Sequence, residues 1–231
     1  MANGKFKSTR EALHLLHPLS WWTSVHPPYR MDLFGHDPAT NLLPCDGTVN
    51  YHGPILSPAD THRYYETLLR EIPWKNDEAI IFGKHIVTAR KVAWYGDSNF
   101  SYTYSGTTKR ALAWTPELAA LKSLVEKLTG STFNSCLLNL YHDGNEGMAW
   151  HSDDEKSLGK DSTIASVSLG AEREFRLKHK RTEEKISVLL ESGSLLVMKD
   201  TTQSHWLHCV PKSRKIKTPR INLTFRSMLR Q

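Results

Sequence analysis

Two short stretches of the 231-residue chain carry side chains able to do metal and anion chemistry. In Trp150-His151-Ser152-Asp153 an imidazole and a carboxylate stand two positions apart. On a strand that spacing puts both side chains on one side, where they can converge on a single ion. His205 and His208, in Ser204-His205-Trp206-Leu207-His208-Cys209-Val210-Pro211, are candidates for a third ligand. Two imidazoles and one carboxylate on one face leave coordination positions open, as a metal needs if it is to bind oxygen and a cosubstrate together. A His-x-Asp pair is common by chance, and twelve histidines guarantee one downstream, so the pair needs a second signal.

That signal is Pro219-Arg220-Ile221-Asn222-Leu223-Thr224-Phe225-Arg226. At the period of a strand, Arg220, Asn222, Thr224 and Arg226 share one face, and Ile221, Leu223 and Phe225 share the other. If the apolar face packs against helices, the polar face points into the fold, where unpaired guanidinium groups are costly. Such arginines require an anion, and their planar fork suits a small dicarboxylate held beside the metal. The competing reading is an edge strand with a solvated polar face. The nearby metal pattern favours the inward one.

Something must position these residues. Ser57-Pro58-Ala59-Asp60 has an N-cap, a proline for the first helical position and an acid for the helix dipole. It predicts a helix over Pro58 to Glu71 with an apolar face of Tyr65, Leu68, Leu69 and Ile72. Thr115-Pro116-Glu117 repeats the start, Leu118, Leu121, Val125 and Leu128 carry the stripe, and Gly130 supplies the stop. Elsewhere the pattern is of short β-branched and aromatic runs: Ile80 to Phe82, His85 to Tyr95, Ser101 to Tyr104, Ser135 to Tyr141, Thr163 to Leu169, Glu174 to Lys178, Ile186 to Leu190, Ser194 to Met198 and Arg220 to Arg226. Many short strands with two helices predict a mainly β, α+β fold: a sandwich or barrel with helices packed on one side.

Seven of the eleven prolines lie in the first 58 residues, so residues 1–55 read as an irregular Pro-rich extension, with one short helix near Thr9 to His17. Residues 56–231 read as a single domain. Hydrophobic residues at 39% and charged residues at 23% exclude fibrous and disordered classes. Three cysteines, Cys45, Cys136 and Cys209, without CxxC spacing argue against a disulfide framework or thiolate zinc site. No run reaches the ~18 to 20 apolar residues of a membrane span, and the N-terminus lacks a signal-peptide core, so the expectation is a soluble intracellular protein with no membrane partner, taken by default as a monomer. A net charge of +6 is compatible with a polyanionic partner.

Taken in order, Asn139-Leu140-Tyr141, His151-Ser152-Asp153-Asp154-Glu155, His208 and Arg220-Ile221-Asn222-Leu223-Thr224-Phe225-Arg226 closely resemble the AlkB family of Fe(II)- and 2-oxoglutarate-dependent dioxygenases, its DNA-repair members above all. The resemblance runs from about Phe82 to Met228. It implies a double-stranded β-helix, or jelly roll, over about 132–231, preceded by a nucleotide-recognition lid over about 80–110. It further implies Fe(II) on His151, Asp153 and His208, with His208 favoured over His205. The distal carboxylate of 2-oxoglutarate would pair with Arg220, and Asn139, Tyr141, Asn222, Thr224 and Arg226 would complete the cosubstrate site.

The same resemblance implies base recognition by Phe82-Gly83-Lys84, Tyr102-Thr103-Tyr104, Asp154 and Glu155. Aromatic rings restack a base removed from its neighbours, and a carboxylate suits bases that carry positive charge and an amine donor. Lys178-His179-Lys180-Arg181 and Lys212-Ser213-Arg214-Lys215-Ile216-Lys217 would face the phosphate backbone. Where relatives carry a duplex-probing finger, this chain has His85-Ile86-Val87-Thr88, with Ile86 or Val87 in the wedge position. The implied activity is oxidative demethylation of N1-methyladenine and N3-methylcytosine in DNA, with 2-oxoglutarate and O2 converted to succinate and CO2 and formaldehyde released. The location would be the cytoplasm of a bacterium or the nucleus of a eukaryote. The alternatives are the same chemistry on RNA or another methylated substrate, or a nucleic-acid-binding module without catalysis.

Overall fold

The structure, a computed structural model, describes residues 37–81, 84–97, 101–104 and 107–229. The chain separates into two units, Met1–Phe34 and Gly35–Gln231. The first lies outside the described residues, and with it the helix expected near Thr9 to His17. The second runs β1 (Thr48–Pro54), α1 (Pro58–Glu71), β2 (Lys75–Ile81), β3 (Lys84–Gly96), β4 (Ser101–Tyr104), β5 (Thr107–Arg110), α2 (Pro116–Thr129), β6 (Ser135–Tyr141) and β7 (Met148–His151). After a 3-10 turn (Lys156–Leu158) follow β8 (Ile164–Gly170), β9 (Arg173–His179), β10 (Lys185–Leu190), β11 (Ser194–Lys199), the single-turn helix α3 (Thr202–His205), β12 (Trp206–Val210) and β13 (Arg220–Arg226).

Both long helices start and stop where their end signals stand. Ser57 Oγ accepts from the Asp60 N–H at 3.1 Å, and Gly130 takes the left-handed φ of 68° that ends α2. Leu118, Leu121 and Val125 are fully buried, whereas Leu128, the last of the predicted stripe, is exposed. On α1 the buried positions are Thr61, Tyr64 and Leu68, with Tyr65 and Leu69 half-buried at the margin.

A seven-stranded sheet has the order β1-β11-β8-β13-β6-β3-β2, and a four-stranded sheet the order β10-β9-β12-β7. The chain alternates between them: β8, β11 and β13 lie in the larger sheet, β9, β10 and β12 in the smaller. All pairings within both sheets are antiparallel. This interleaving of two antiparallel sheets is the jelly roll the resemblance implied. A separate hairpin joins β4 and β5.

The larger sheet sorts its residues by parity. Ala165, Val167, Leu169, Leu195, Val197, Ile221, Leu223 and Phe225 face outward into a core shared with α1 and α2. Ile164, Leu196 and Met198 face inward, where they meet Phe175, Leu177, Leu190, Trp206 and Val210 of the smaller sheet. Full burial of such side chains is worth about 1.5–3 kcal/mol each. Farther along the inner face, on β6, β8 and β13, the inward residues become polar, and the candidate site begins there.

Two boundaries differ from expectation. Thr48–Pro54 is no part of an irregular extension: it is the edge strand β1, paired with β11 and bulged between Tyr51 and Gly53. Its proline, glycine and bulge hide the alternation of a strand. The lid segment is not separate from the core either, because Lys91 to Gly96 of β3 pair with β6 inside the larger sheet.

Candidate metal and anion site

His151 and His208 face each other directly across the β7–β12 pairing, with ring centroids 4.2 Å apart. Ligand atoms of His151, Asp153 and His208 lie within 4.8 Å of one another. The spacing argument for Asp153 reaches the right residue by a different route, since β7 ends at His151. Asp153 is instead aimed by tertiary bonds: its N–H donates to Gln203 Oε1 at 2.9 Å, and its Oδ2 accepts from Arg226 Nη2 at 2.7 Å. Gln203, on α3, carries no sequence signal.

Asp153 and His208 are held in the protonation states a cation requires. Burial alone would raise the Asp153 carboxyl, but the Arg226 guanidinium bonded to it holds it below the usual carboxylate range. Burial, reinforced by His151, pushes His208 down to about 3, so its ring is neutral. His151 Nδ1 lies 2.8 Å from the carbonyl of Ala149, which can only accept. That places a proton on Nδ1 and leaves Nε2, 3.8 Å from Asp153 Oδ1, on the side of the other two ligands. One carboxylate and two imidazoles are the donor set of an open-sided Fe(II) site. His205, at the end of α3, is not part of it and stacks near His179 instead.

A second grouping, Cys45, Asp46 and His179, also brings three ligand atoms within 4.8 Å. There His179 Nδ1 accepts from the Thr182 N–H at 3.0 Å, so the proton sits on Nε2 and points at Asp46 Oδ2, 3.1 Å away. The ring has no free lone pair, and the grouping is a hydrogen-bonded tie rather than a ligand set.

The inner face of β13 carries two arginines, of which Arg226 bonds the triad's Asp153. Arg220 is 1% exposed, and its Nη2 donates to Ser168 Oγ at 2.9 Å. Its Nε and Nη1, and the Nε of Arg226, are buried without a hydrogen-bond partner. Burial pulls the Arg220 guanidinium down to about 10, against the opposing effect of Tyr141. Unsatisfied buried guanidinium N–H groups are rare and expensive, and a carboxylate ligand resolves them. The residues therefore fit 2-oxoglutarate.

The other expected cosubstrate residues lie on β13 and its neighbour β6. Asn139 and Asn222 are register partners, and both are buried, as are Tyr141 and Thr224. Asn222 is partly engaged already: its amide donates to Ser166 Oγ at 2.8 Å and to the Val167 carbonyl, while its Oδ1 accepts from Thr224. Ser166 and Ser168 were missed in the sequence, though their alternation with Ala165, Val167 and Leu169 follows the same period-two logic as β13.

Asp154 and Glu155 are exposed just past the ligands. Phe82 and Gly83 lie outside the described residues, as do the side chains of Lys84, Ile86, Tyr102, Thr103 and Tyr104. Val87 is exposed. Of the first basic run, His179 is 2% exposed and structural, correcting its expected place on a phosphate-facing surface. Lys180 Nζ donates to the Gln203 carbonyl at 2.9 Å, and Lys178 pairs with Glu183. Among the described residues no helix is long and apolar enough to cross a membrane.

Fold and site together define a jelly-roll protein with an open-sided metal centre joined to a strand face that bears buried, unpartnered arginine N–H groups. A family described as the 2OG-Fe(II) oxygenase superfamily matches residues 47–226. A relative from Mus musculus named DNA oxidative demethylase ALKBH2 is 38% identical over 198 residues, covering 81% of each chain. Its Homo sapiens namesake is 37% identical, covering 81% of this chain and 74% of its own. A Homo sapiens protein named alpha-ketoglutarate-dependent dioxygenase alkB homolog 3 is 40% identical over 71% of this chain and 60% of its own. A solved structure titled for OsALKBH1 shares the fold, with a TM-score of 0.50 and 15% identity over 73% of this chain and 90% of that one. The chain belongs to the 2OG-Fe(II) oxygenase superfamily and, within it, to the AlkB family. It is an Fe(II)- and 2-oxoglutarate-dependent dioxygenase that uses O2.

Proposed function

We propose that the protein removes methyl groups oxidatively from alkylated bases in DNA, with N1-methyladenine and N3-methylcytosine as substrates. The observation that carries this reading is the His151, Asp153 and His208 triad joined, through the Arg226–Asp153 bond, to the inner face of β13 that carries the unsatisfied cation of Arg220. Relatives with 37–38% identity that bear the name DNA oxidative demethylase support the choice of substrate.

In this reading His151, Asp153 and His208 hold Fe(II). Arg220 takes the distal carboxylate of 2-oxoglutarate, and Asn139, Tyr141, Asn222 and Thr224 line its sides. Arg226 serves both groups, because Nη2 keeps Asp153 ionised and oriented while its unpartnered Nε would be left to donate to the cosubstrate. When bound, iron and 2-oxoglutarate supply the oxidation of the methyl carbon, with O2 consumed and succinate, CO2 and formaldehyde formed. The protein fixes the ligands, excludes water and places the base. Asp154 and Glu155 lie exposed at the rim, where carboxylates favour a cationic methylated base over its neutral parent. Phe82, Gly83, Lys84, Tyr102, Thr103 and Tyr104 form the recognition lid, and Lys212, Arg214, Lys215 and Lys217 neutralise backbone phosphates.

The test is mass spectrometry of oligonucleotides carrying either lesion, incubated with the protein, Fe(II), 2-oxoglutarate, ascorbate and air, beside Asp153→Ala. Loss of the methyl group with the wild type alone is expected. An untouched DNA oligonucleotide beside a demethylated RNA counterpart would overturn the DNA assignment. Salt-sensitive binding without turnover, unaffected by Asp153→Ala, would support a binding module instead.

A further inference from the structure

Arg173 opens β9 and is 1% exposed, making it one of the largest fully buried side chains. The hydrogen bonds it makes among the described residues go to neutral backbone carbonyls. Nη2 donates to Glu146 and Pro211, each at 2.8 Å, and Nη1 to Asp143 at 3.4 Å. A withdrawn cation whose hydrogen bonds reach only carbonyls is costly. Burial opposes its charge, and Tyr141, Asp143 and Glu146 support it.

The carbonyls it grips belong to two loops. Asp143 and Glu146 lie between β6 and β7, directly ahead of the strand that carries His151. Pro211 begins the loop after β12, the strand that carries His208. The loops are also tied to each other: the Ser213 N–H donates to the Gly144 carbonyl at 2.7 Å, and the Gly144 N–H to the Ile216 carbonyl at 3.0 Å. A Cβ at Gly144 would lie 1.9 Å from the Ser213 carbonyl oxygen, so the approach demands glycine. The second loop bears Lys212, Arg214, Lys215 and Lys217.

Arg173 also comes near Arg220. Its guanidinium lies 5.6 Å from the centroid of the Tyr141 ring, and that of Arg220 lies 5.5 Å from the same centroid. The two cations are close enough for Arg173 to disfavour the charge on Arg220. One ring therefore lies close to both the arginine that needs an anion and the arginine that holds the basic loop.

We propose that Arg173 is a positioning residue that couples an anion bound at Arg220 to the placement of the basic loop Pro211–Pro219, through the Tyr141 ring and the three carbonyls. The proposal rests on the reading of Arg220 as the partner of 2-oxoglutarate. A carboxylate arriving at Arg220 cancels one of two like charges beside Tyr141. Their repulsion falls, and the bonds that Arg173 already makes to its carbonyls are reinforced. The loop that presents cations to nucleic acid is thereby held more firmly once the cosubstrate is in place. By reciprocity, removing Arg173 weakens 2-oxoglutarate binding by the same coupling.

The test uses the full chain loaded with Mn(II), which supports binding without turnover. Hydrogen exchange of the Gly144, Ser213 and Ile216 amides is followed in the wild type with and without saturating 2-oxoglutarate, and slowing of all three is expected. In Arg173→Lys and Arg173→Gln the slowing disappears. The calorimetric Kd for 2-oxoglutarate then weakens about tenfold, within the usual range of coupling between sites, and Mn(II) affinity stays within twofold. Arg220→Lys separates the two ideas. If it binds 2-oxoglutarate as the wild type does, the cosubstrate reading fails. If it binds weakly while wild-type exchange over residues 211–217 ignores 2-oxoglutarate, the coupling is overturned and that reading stands. The wild-type measurement decides the matter even if both Arg173 variants misfold.

Discussion

The two faces of β13 differ by one residue step and by the whole logic of burial. Ile221, Leu223 and Phe225 face outward at 0% exposure against α1 and α2. Arg220, Asn222 and Thr224 face inward and are also buried. Exposure alone does not tell the faces apart. The outward face is complete: hydrocarbon meets hydrocarbon, and Phe225 lies 6.2 Å from the Phe133 ring and 6.5 Å from Trp114. The inward face is not, because Arg220 and Arg226 retain buried N–H groups without partners. A core is recognised by having its contacts made, and a site by a charge still waiting for one. Stability should therefore live on one face and function on the other.

The sharpest way to break that division is Phe225→Ala. Removing a fully buried aromatic ring costs about 3–5 kcal/mol, and at about 2–4 °C per kcal/mol for a chain of this size Tm should fall by roughly 10 °C. Turnover per folded molecule, measured well below the new midpoint, should hold. Lost activity in a protein that calorimetry shows to be folded would mean the outward face also shapes the site.

Arg220→Met is the converse. Removing one partner of a buried charge pair costs about 2–5 kcal/mol of binding, so 2-oxoglutarate affinity should fall at least about thirtyfold by calorimetry. Tm without cosubstrate should stay or rise, because an apolar side chain replaces a poorly satisfied buried cation. A large fall in Tm would show that Arg220 is chiefly structural.

This division was legible in the sequence where a single period holds over a whole element. β13 alternates without interruption for seven residues, so its apolar and charged faces separate on paper. α1 and α2 carry both a cap and a stripe. β7 and β12 gave no such signal: they are four and five residues long, and β12 follows α3 without a linker. Yet they hold the two histidines. The His-x-Asp spacing pointed to the right carboxylate although Asp153 lies beyond the strand, since Gln203 and Arg226 turn it inward. Those partners are 50 and 73 residues away in the chain, and no local pattern reports contacts at that range. Arg173 was invisible for the same reason: its partners are backbone carbonyls, which every residue possesses.

Ser168→Ala probes the inner face more gently. It removes the Oγ that accepts from Arg220 Nη2 and adds one more unsatisfied N–H, a change of about 1–3 kcal/mol. Cosubstrate affinity should weaken about fivefold and Tm should fall by a few degrees, because Ser168 serves both the resting protein and the bound state. Affinity unchanged beside a lower Tm would assign the bond to folding alone.

The smallest effect is expected at the far side of the outward core. Thr115 caps α2, its Oγ1 accepting from the Leu118 N–H at 3.3 Å, a long bond at the weak end of the capping range. Thr115→Ala should cost about 0.5–1 kcal/mol, which lowers Tm by roughly 2 °C. Because α2 touches only the outward face of the sheet, the 2-oxoglutarate Kd and the demethylation rate should both match the wild type. If the cap variant altered cosubstrate affinity, the sheet would be transmitting strain between its faces. The separation drawn along β13 would then describe where residues point and not how the two faces behave.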